Sequence, residues 1–152
     1  MNIIGIDPGI NGAWAVISDG AFYASGRMPT VMYKNRSKKL ICARTLLEEL
    51  EVYRPDIIAI ENVNSRPGDG TQSAFNFGVA FGGAIFVAQM LVDHERIRFV
   101  TPRMWKEYFG LSKKPKNAVK PVFESAFGSY PKNIDIADAA MIGYFQWLRE
   151  VK

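Results

Sequence analysis

The chain has 152 residues, 48% of them hydrophobic and 22% charged, with a formal net charge of +4. That length predicts a single domain over residues 1–152, and the composition excludes a disordered or collagen-like chain. A lone cysteine, Cys42, excludes an internal disulfide, and a lone histidine, His94, leaves no Cys/His set for zinc.

Met1 leads directly into an apolar, β-rich run, Ile3 to Asp7, so no leader is expected and a cytosolic location fits. Pro8-Gly9 and Asn11-Gly12 turn the chain into a second run, Ala13 to Ile17. Ser18-Asp19-Gly20 then opens a third, Ala21 to Met28. Short strands joined by Asn-Gly and Asp-Gly turns predict a three-stranded antiparallel meander. Lys38 to Tyr53 carries Leu40, Ala43, Leu46, Leu47 and Leu50 at helical spacing, which predicts a helix with Cys42 inside it as a buried thiol. Arg54-Pro55 ends that helix, because the residue before proline avoids the helical region.

Ile57 to Ile60 is almost wholly apolar, the pattern of a strand buried on both faces, and it ends at Glu61. A polar loop, Asn62 to Gly70, precedes a helix expected from about Gln72 to Leu91. Its apolar stretch Val79 to Val92 is too short for a bilayer span and reads as buried, within one subunit or against a second copy. Phe75 and Phe77 fall at helical spacing and are expected in the core. Ile97 to Val100 is a further strand, and Thr101-Pro102 caps a short helix through Tyr108. Lys113 to Asn117 reads as a basic loop, and helices follow at Ala118 to Phe127 and Asn133 to Glu150. The resulting fold class is α/β: a meander of three strands continued by parallel strands, flanked by helices.

Four acids stand at the ends of these elements. Asp7 and Glu61 close the first and fourth strands, and the carboxyl edge of an open α/β sheet is where sites form. Asp135 and Asp138 lie three apart at the start of the last helix, on one face. Each has a plainer reading: a turn aspartate, a strand terminator, or a helix cap with its third-position acid. Alternatively Asn133 is the cap and both aspartates are free. Four converging carboxylates repel one another, and a divalent cation with hard oxygen ligands, Mg²⁺ or Mn²⁺, resolves that. No G-x-S-x-G motif supports a nucleophilic serine.

The basic residues are clustered too. Arg96, Arg98, Arg103, Lys106, Lys113, Lys114, Lys116 and Lys120 are interrupted by one acid, Glu107, and Lys34, Arg36, Lys38 and Lys39 lie in a stretch without acids. Such clustering points to a polyanionic partner, nucleic acid first.

GIDPG (5–9), PDIIAIENV (55–63) and IDIADAAMIGY (134–144), in that order, resemble the motifs of RuvC-type Holliday-junction resolvases, members of the RNase H-like nuclease superfamily. The resemblance covers nearly the whole chain. It implies an RNase H-like mixed sheet and a crossover junction endodeoxyribonuclease of DNA recombination and repair, acting as a homodimer on four-way junctions by paired symmetric nicks. By the same resemblance Asp7, Glu61, Asp135 and Asp138 are catalytic and hold two Mg²⁺ ions, with Mn²⁺ as substitute. Lys106 and Lys116 would be catalytic lysines, though Lys113 or Lys114 could take the second place. Lys34, Arg36, Lys38, Lys39, Asn64, Arg66, Arg103, Lys113, Lys114 and Lys120 would contact DNA. One position departs from the pattern. Where well-studied members carry a base-stacking aromatic residue, this chain has Asn64, in a loop rich in Gly, Pro and polar residues. That departure implies a relaxed sequence preference and activity on other branched DNA, as in phage-encoded members, within a bacterial or phage-infected cytosol. The rival readings are a non-cleaving branched-DNA binding module and an RNase H-like nuclease acting on flaps or RNA-DNA hybrids.

Overall fold

The computed structural model describes residues 1–63, 68 and 70–152. Strands β1 (Asn2–Asp7), β2 (Ala13–Ser18) and β3 (Ala21–Arg27) form the expected antiparallel meander. Asp19 and Gly20 both take positive φ, 47° and 83°, the backbone that a tight two-residue hairpin turn requires. A second, two-stranded hairpin pairs β4 (Thr30–Val31) with β5 (Leu40–Ile41). Then come α1 (Ala43–Glu51), β6 (Ile57–Glu61), α2 (Thr71–Leu91), β7 (Ile97–Val100), α3 (Pro102–Tyr108), α4 (Val119–Phe127) and α5 (Ile134–Glu150). The main sheet runs β3-β2-β1-β6-β7, with β6 parallel to both β1 and β7.

Alternation along the strands sorts the core onto two faces. Ile4 and Ile6 of β1 with Ile58 and Ile60 of β6 pack toward α1 and α2, against Leu46, Leu50, Ala84 and Val87. Ile3 of β1 with Ile57 and Ala59 of β6 pack toward α3, α4 and α5, against Trp105, Phe123 and Met141. Asp7 and Glu61 continue the second series, so both belong to the face covered by α5.

α5 lies close against β1. A Cβ on Gly5 would sit 2.0 Å from the Ala139 carbonyl oxygen, and one on Gly143 would sit 3.1 Å from the Gly5 nitrogen. A strand glycine here admits the helix backbone, and the contact fixes how far Asp135 and Asp138 stand from the sheet edge. Asn133 is the cap of α5, its side-chain oxygen accepting from Ile136 N–H at 2.9 Å, which leaves both aspartates free of that task. At the start of α3 the cap is Thr101, whose Oγ1 accepts from Met104 N–H at 3.4 Å.

Several expectations need correction. The helix predicted from Lys38 begins only at Ala43, because Leu40 and Ile41 pair with Val31 and Thr30. Cys42 is therefore the residue that enters α1, and it is half-buried, not a core thiol. Thr45 beside it lowers the thiol's pKa. Phe75 is not in the core: it is 60% exposed. α2 has 21 residues, and its length and composition alone would suit a membrane span. Only 22% of its most apolar stretch is buried, so it is a half-covered helix with Val79, Phe86 and Met90 outward.

Candidate active site

The register that pairs Ile6 with Ile60 brings the next residue of each strand, Asp7 and Glu61, to one edge of the sheet. Behind Asp7 the chain turns at once: Gly12 N–H donates to the Gly9 carbonyl at 2.8 Å, and Gly9 N–H reaches Asp7 Oδ1 at 3.4 Å. Gly12 is required in that turn, since a Cβ there would lie 2.1 Å from the Asp7 carbonyl oxygen. Glu61, at 9% exposure, is one of two buried polar or charged residues among those described. Its Oε1 accepts a buried hydrogen bond of 2.9 Å from the Trp105 indole N–H.

The acids share one electrostatic neighbourhood. Burial pushes the Asp7 carboxyl up from its ordinary value; the Gly9 N–H opposes the rise, Asp135 adds to it, and Lys106 and Lys116 oppose it. Burial also raises Glu61, against the Trp105 hydrogen bond, with Asp7 adding and Lys106 opposing. Asp138 is pushed up to about 7, first by burial; Lys106 opposes, and Asp7, Glu61 and Asp135 add. Three carboxylates with raised pKa values, Glu61 buried and Asp7 and Asp138 half-buried, in one neighbourhood mark a functional-site candidate.

Among the described residues, no three acid, histidine or cysteine side chains already converge on one point. The donor set nevertheless fits a hard divalent cation: every donor is a carboxylate oxygen, half-buried or buried, and the four acids outnumber the two lysines, Lys106 and Lys116, that act on them.

Lys106, on α3, acts on Asp7, Glu61 and Asp138 alike. Lys116, in the 3₁₀ turn before α4, also acts on Asp7. A small cavity of ≈ 70 Å³ lies between them, with Lys106, Lys114, Lys116 and Asp138 in its wall. Lys113 holds a left-handed φ of 60° on the loop leading to it.

The remaining basic residues are spread more widely. Lys34, Arg36, Lys38 and Lys39 are all exposed between β4 and β5. Arg36 and Lys38 border a polar groove with Gln72 and Asn76 in the first turns of α2, the helix that follows the carboxyl edge of β6. Arg103 is turned toward Glu107, with which it pairs at 2.8 Å on the outside of α3. Lys120 stands over the Tyr130 ring at 5.5 Å. Asn64 and Arg66 lie outside the described residues. His94 is exposed at the far end of α2, away from the acids.

Two features escaped the sequence reading. Trp105 touches Glu61 from 44 residues away, and its signal was a tryptophan on a short helix after a buried strand: a buried indole N–H needs an acceptor. Gly5, inside an otherwise apolar strand, signalled close approach of another backbone, here α5.

A model of the family described as "Crossover junction endodeoxyribonuclease RuvC" matches residues 3–144. No curated protein matches the chain. Among solved structures, "Thermus thermophilus RuvC structure" is similar with a TM-score of 0.73 at 19% identity, covering 99% of this chain and 96% of that one. A second, "T. thermophilus RuvC in complex with Holliday junction substrate", has a TM-score of 0.73 at 18% identity over the same shares. At those identities the structural likeness is one of fold, the RNase H-like mixed sheet flanked by helices.

Proposed function

The chain belongs to the RuvC family of crossover junction endodeoxyribonucleases, which are divalent-metal-dependent, and on that premise we propose how its residues divide the work. It acts as a junction-resolving nuclease in a single domain over residues 1–152. Its finer activity is the cutting of four-way DNA junctions by paired symmetric nicks, with Mg²⁺ as the working ion and Mn²⁺ as substitute. The observation that carries this reading is the β1–β6 register that sets Asp7 and Glu61 side by side at one sheet edge, with Asp135 and Asp138 in the first turns of the helix covering that face and Lys106 near them.

Asp7, Glu61, Asp135 and Asp138 would together hold the divalent ions. When bound, such ions supply an activated water and stabilise the leaving oxygen of an in-line displacement at phosphorus. The chain's own residues do the rest. Lys106 and Lys116 offset the charge that develops on the scissile phosphate. Lys34, Arg36, Lys38 and Lys39 at one side, and Lys113, Lys114 and Lys120 at the other, track backbone phosphates and make binding steeply salt-dependent.

A homodimer supplies the second active site that symmetric nicking needs. Support comes from α2, whose outward Phe75, Val79, Phe86 and Met90 are apolar and uncovered within one chain. Relaxed selectivity follows from the polar loop that carries Asn64 where base stacking would otherwise contribute. With DNA as its substrate, the enzyme is assigned to the cytosol of a bacterial or phage-infected cell.

The test is cleavage of a labelled substrate panel in Mg²⁺ and in Mn²⁺: a mobile four-way junction, a three-way junction, a flap, linear duplex and an RNA-DNA hybrid. Paired symmetric cuts in the four-way junction, with slower cuts in other branched DNA at many sequences, are expected. Preference for the hybrid, or tight junction binding without any cut, would overturn the reading.

A further inference from the structure

Trp105 is wholly buried, at 0% exposure, and has two polar dealings at once. The N–H edge of its indole donates to Glu61 Oε1 at 2.9 Å, and Lys106 Nζ stands 5.0 Å from the ring centroid. The frame behind it is regular secondary structure. Glu61 pairs with Val100 across β6 and β7, and the capped first turn of α3 carries the chain from there to Trp105. Resting on the reading of the acids given above, we infer that Trp105 is the positioning residue of the site, its edge orienting Glu61 and its face holding Lys106.

A donor on Oε1 leaves Oε2 as the oxygen free for a cation, and it fixes the rotamer of a side chain with three torsions. The donor is neutral. An arginine or lysine in its place would orient Glu61 equally well but would compete with the cation for it. On the ring face the same economy applies to Lys106. A cation within about 6 Å of a tryptophan centroid is attracted to it without giving up a proton-bearing nitrogen to a carboxylate. Among the described residues, no carboxylate lies within ion-pair distance of Lys106, so its ammonium remains available to a phosphate.

The two contacts are separable by substitution. Trp105→Phe keeps a ring face and loses the N–H; Trp105→Leu loses both. Mg²⁺ affinity measured by calorimetry should fall about 10–100-fold in Trp105→Phe. Junction affinity should hold, and cleavage should recover at high Mg²⁺. Trp105→Leu should show the same weakened Mg²⁺ binding with cleavage that saturating Mg²⁺ does not restore. Wild-type Mg²⁺ affinity in Trp105→Phe would overturn the inference.

A second readout needs neither catalysis nor a Trp105 variant. In an amide correlation spectrum of the metal-free protein, the Trp105 indole N–H, assigned by elimination with Trp14→Phe and Trp147→Phe, should shift in Glu61→Gln. An unshifted signal would overturn the inference even if the Phe variant does not fold. Should the wild type neither bind Mg²⁺ nor cut junctions, the reading of the acids fails, and this spectrum still decides whether Trp105 orients Glu61.

Discussion

Gly5 in β1 and Gly143 in α5 face each other with no room for a side chain on Gly5, whose Cβ would lie 2.0 Å from one helix backbone atom and 2.5 Å from another. This contact holds the start of α5, and therefore Asp135 and Asp138, at its distance from Asp7. Gly5→Ala should destabilise the fold by about 3 kcal/mol, the upper part of the usual range for overpacking a core. For a chain of this size that is a loss of about 6–12 °C in Tm. Gly143→Ala, whose Cβ would lie 3.1 Å from its neighbours, should cost less. Thermal melts of the two variants give the comparison; equal and negligible losses would mean that α5 has slack there.

The raised carboxyl of Asp138, about 7 against an ordinary 3.8, sets a pH dependence with a definite sign. Folded protein holds a proton that unfolded protein releases across that window, so this contribution is fully present below about 4 and lost as pH rises through 7. Metal-free protein should therefore melt several degrees higher at pH 5.5 than at pH 8, with Asp7 and Glu61 contributing in the same direction. Asp138→Asn should raise the pH 8 Tm and flatten the profile. Mg²⁺ binding should in turn weaken as pH falls below 7, since the ion must displace that proton. An Asp138→Asn profile parallel to the wild type would contradict the cause assigned to the shift.

The outward apolar side of α2 should behave as an interface. Phe86 and Met90 are 66% and 70% exposed within one chain. Phe86→Glu with Met90→Glu should turn a dimer into a monomer in sedimentation velocity and leave the melting transition of the subunit in place. Junction nicks by that protein should become single and unpaired. A wild-type chain that sediments as a monomer at micromolar concentration would place the interface elsewhere or deny it.

Of the lysines on the loop before α4, Lys116 is the one whose charge reaches Asp7. Lys116→Ala should slow single-turnover cleavage by about 10²–10³-fold, the usual scale for losing one charge-stabilising donor. Lys113→Ala should chiefly weaken junction binding, lowering the slope of log affinity against log salt by about one. The reverse pattern would move the catalytic assignment to Lys113.

Much of this arrangement was legible in the residues, and the exceptions have physical reasons. Asn-Gly and Asp-Gly turns announce the meander, and the apolar run at Ile57 to Ile60 announces a strand covered on both faces. Thr101-Pro102 and Asn133 announce helix starts, because caps are local chemistry. Leu40 and Ile41 deceived because a two-residue strand is too short to break a helical period, and its pairing with Thr30 and Val31 is not local. Phe75 deceived because periodicity identifies an apolar side of a helix without saying what covers it. The Trp105–Glu61 bond joins residues far apart in sequence and depends on the β6–β7 register, so no short window contains it.

The central claim is that four carboxylates at one sheet edge carry junction cleavage. Its most direct test is the single-turnover cutting of a labelled four-way junction in Mg²⁺ by the wild type beside Asp7→Asn, Glu61→Gln, Asp135→Asn and Asp138→Asn. Junction affinity of each protein is measured in parallel by gel shift. Paired cuts by the wild type, with each amide variant binding the junction but cutting at least 10³-fold more slowly, is the expected result, on the scale that loss of a unit of concerted active-site machinery produces. Near-normal cleavage by any one of the four variants would contradict the account at that residue, and near-normal cleavage by Asp7→Asn would contradict it altogether.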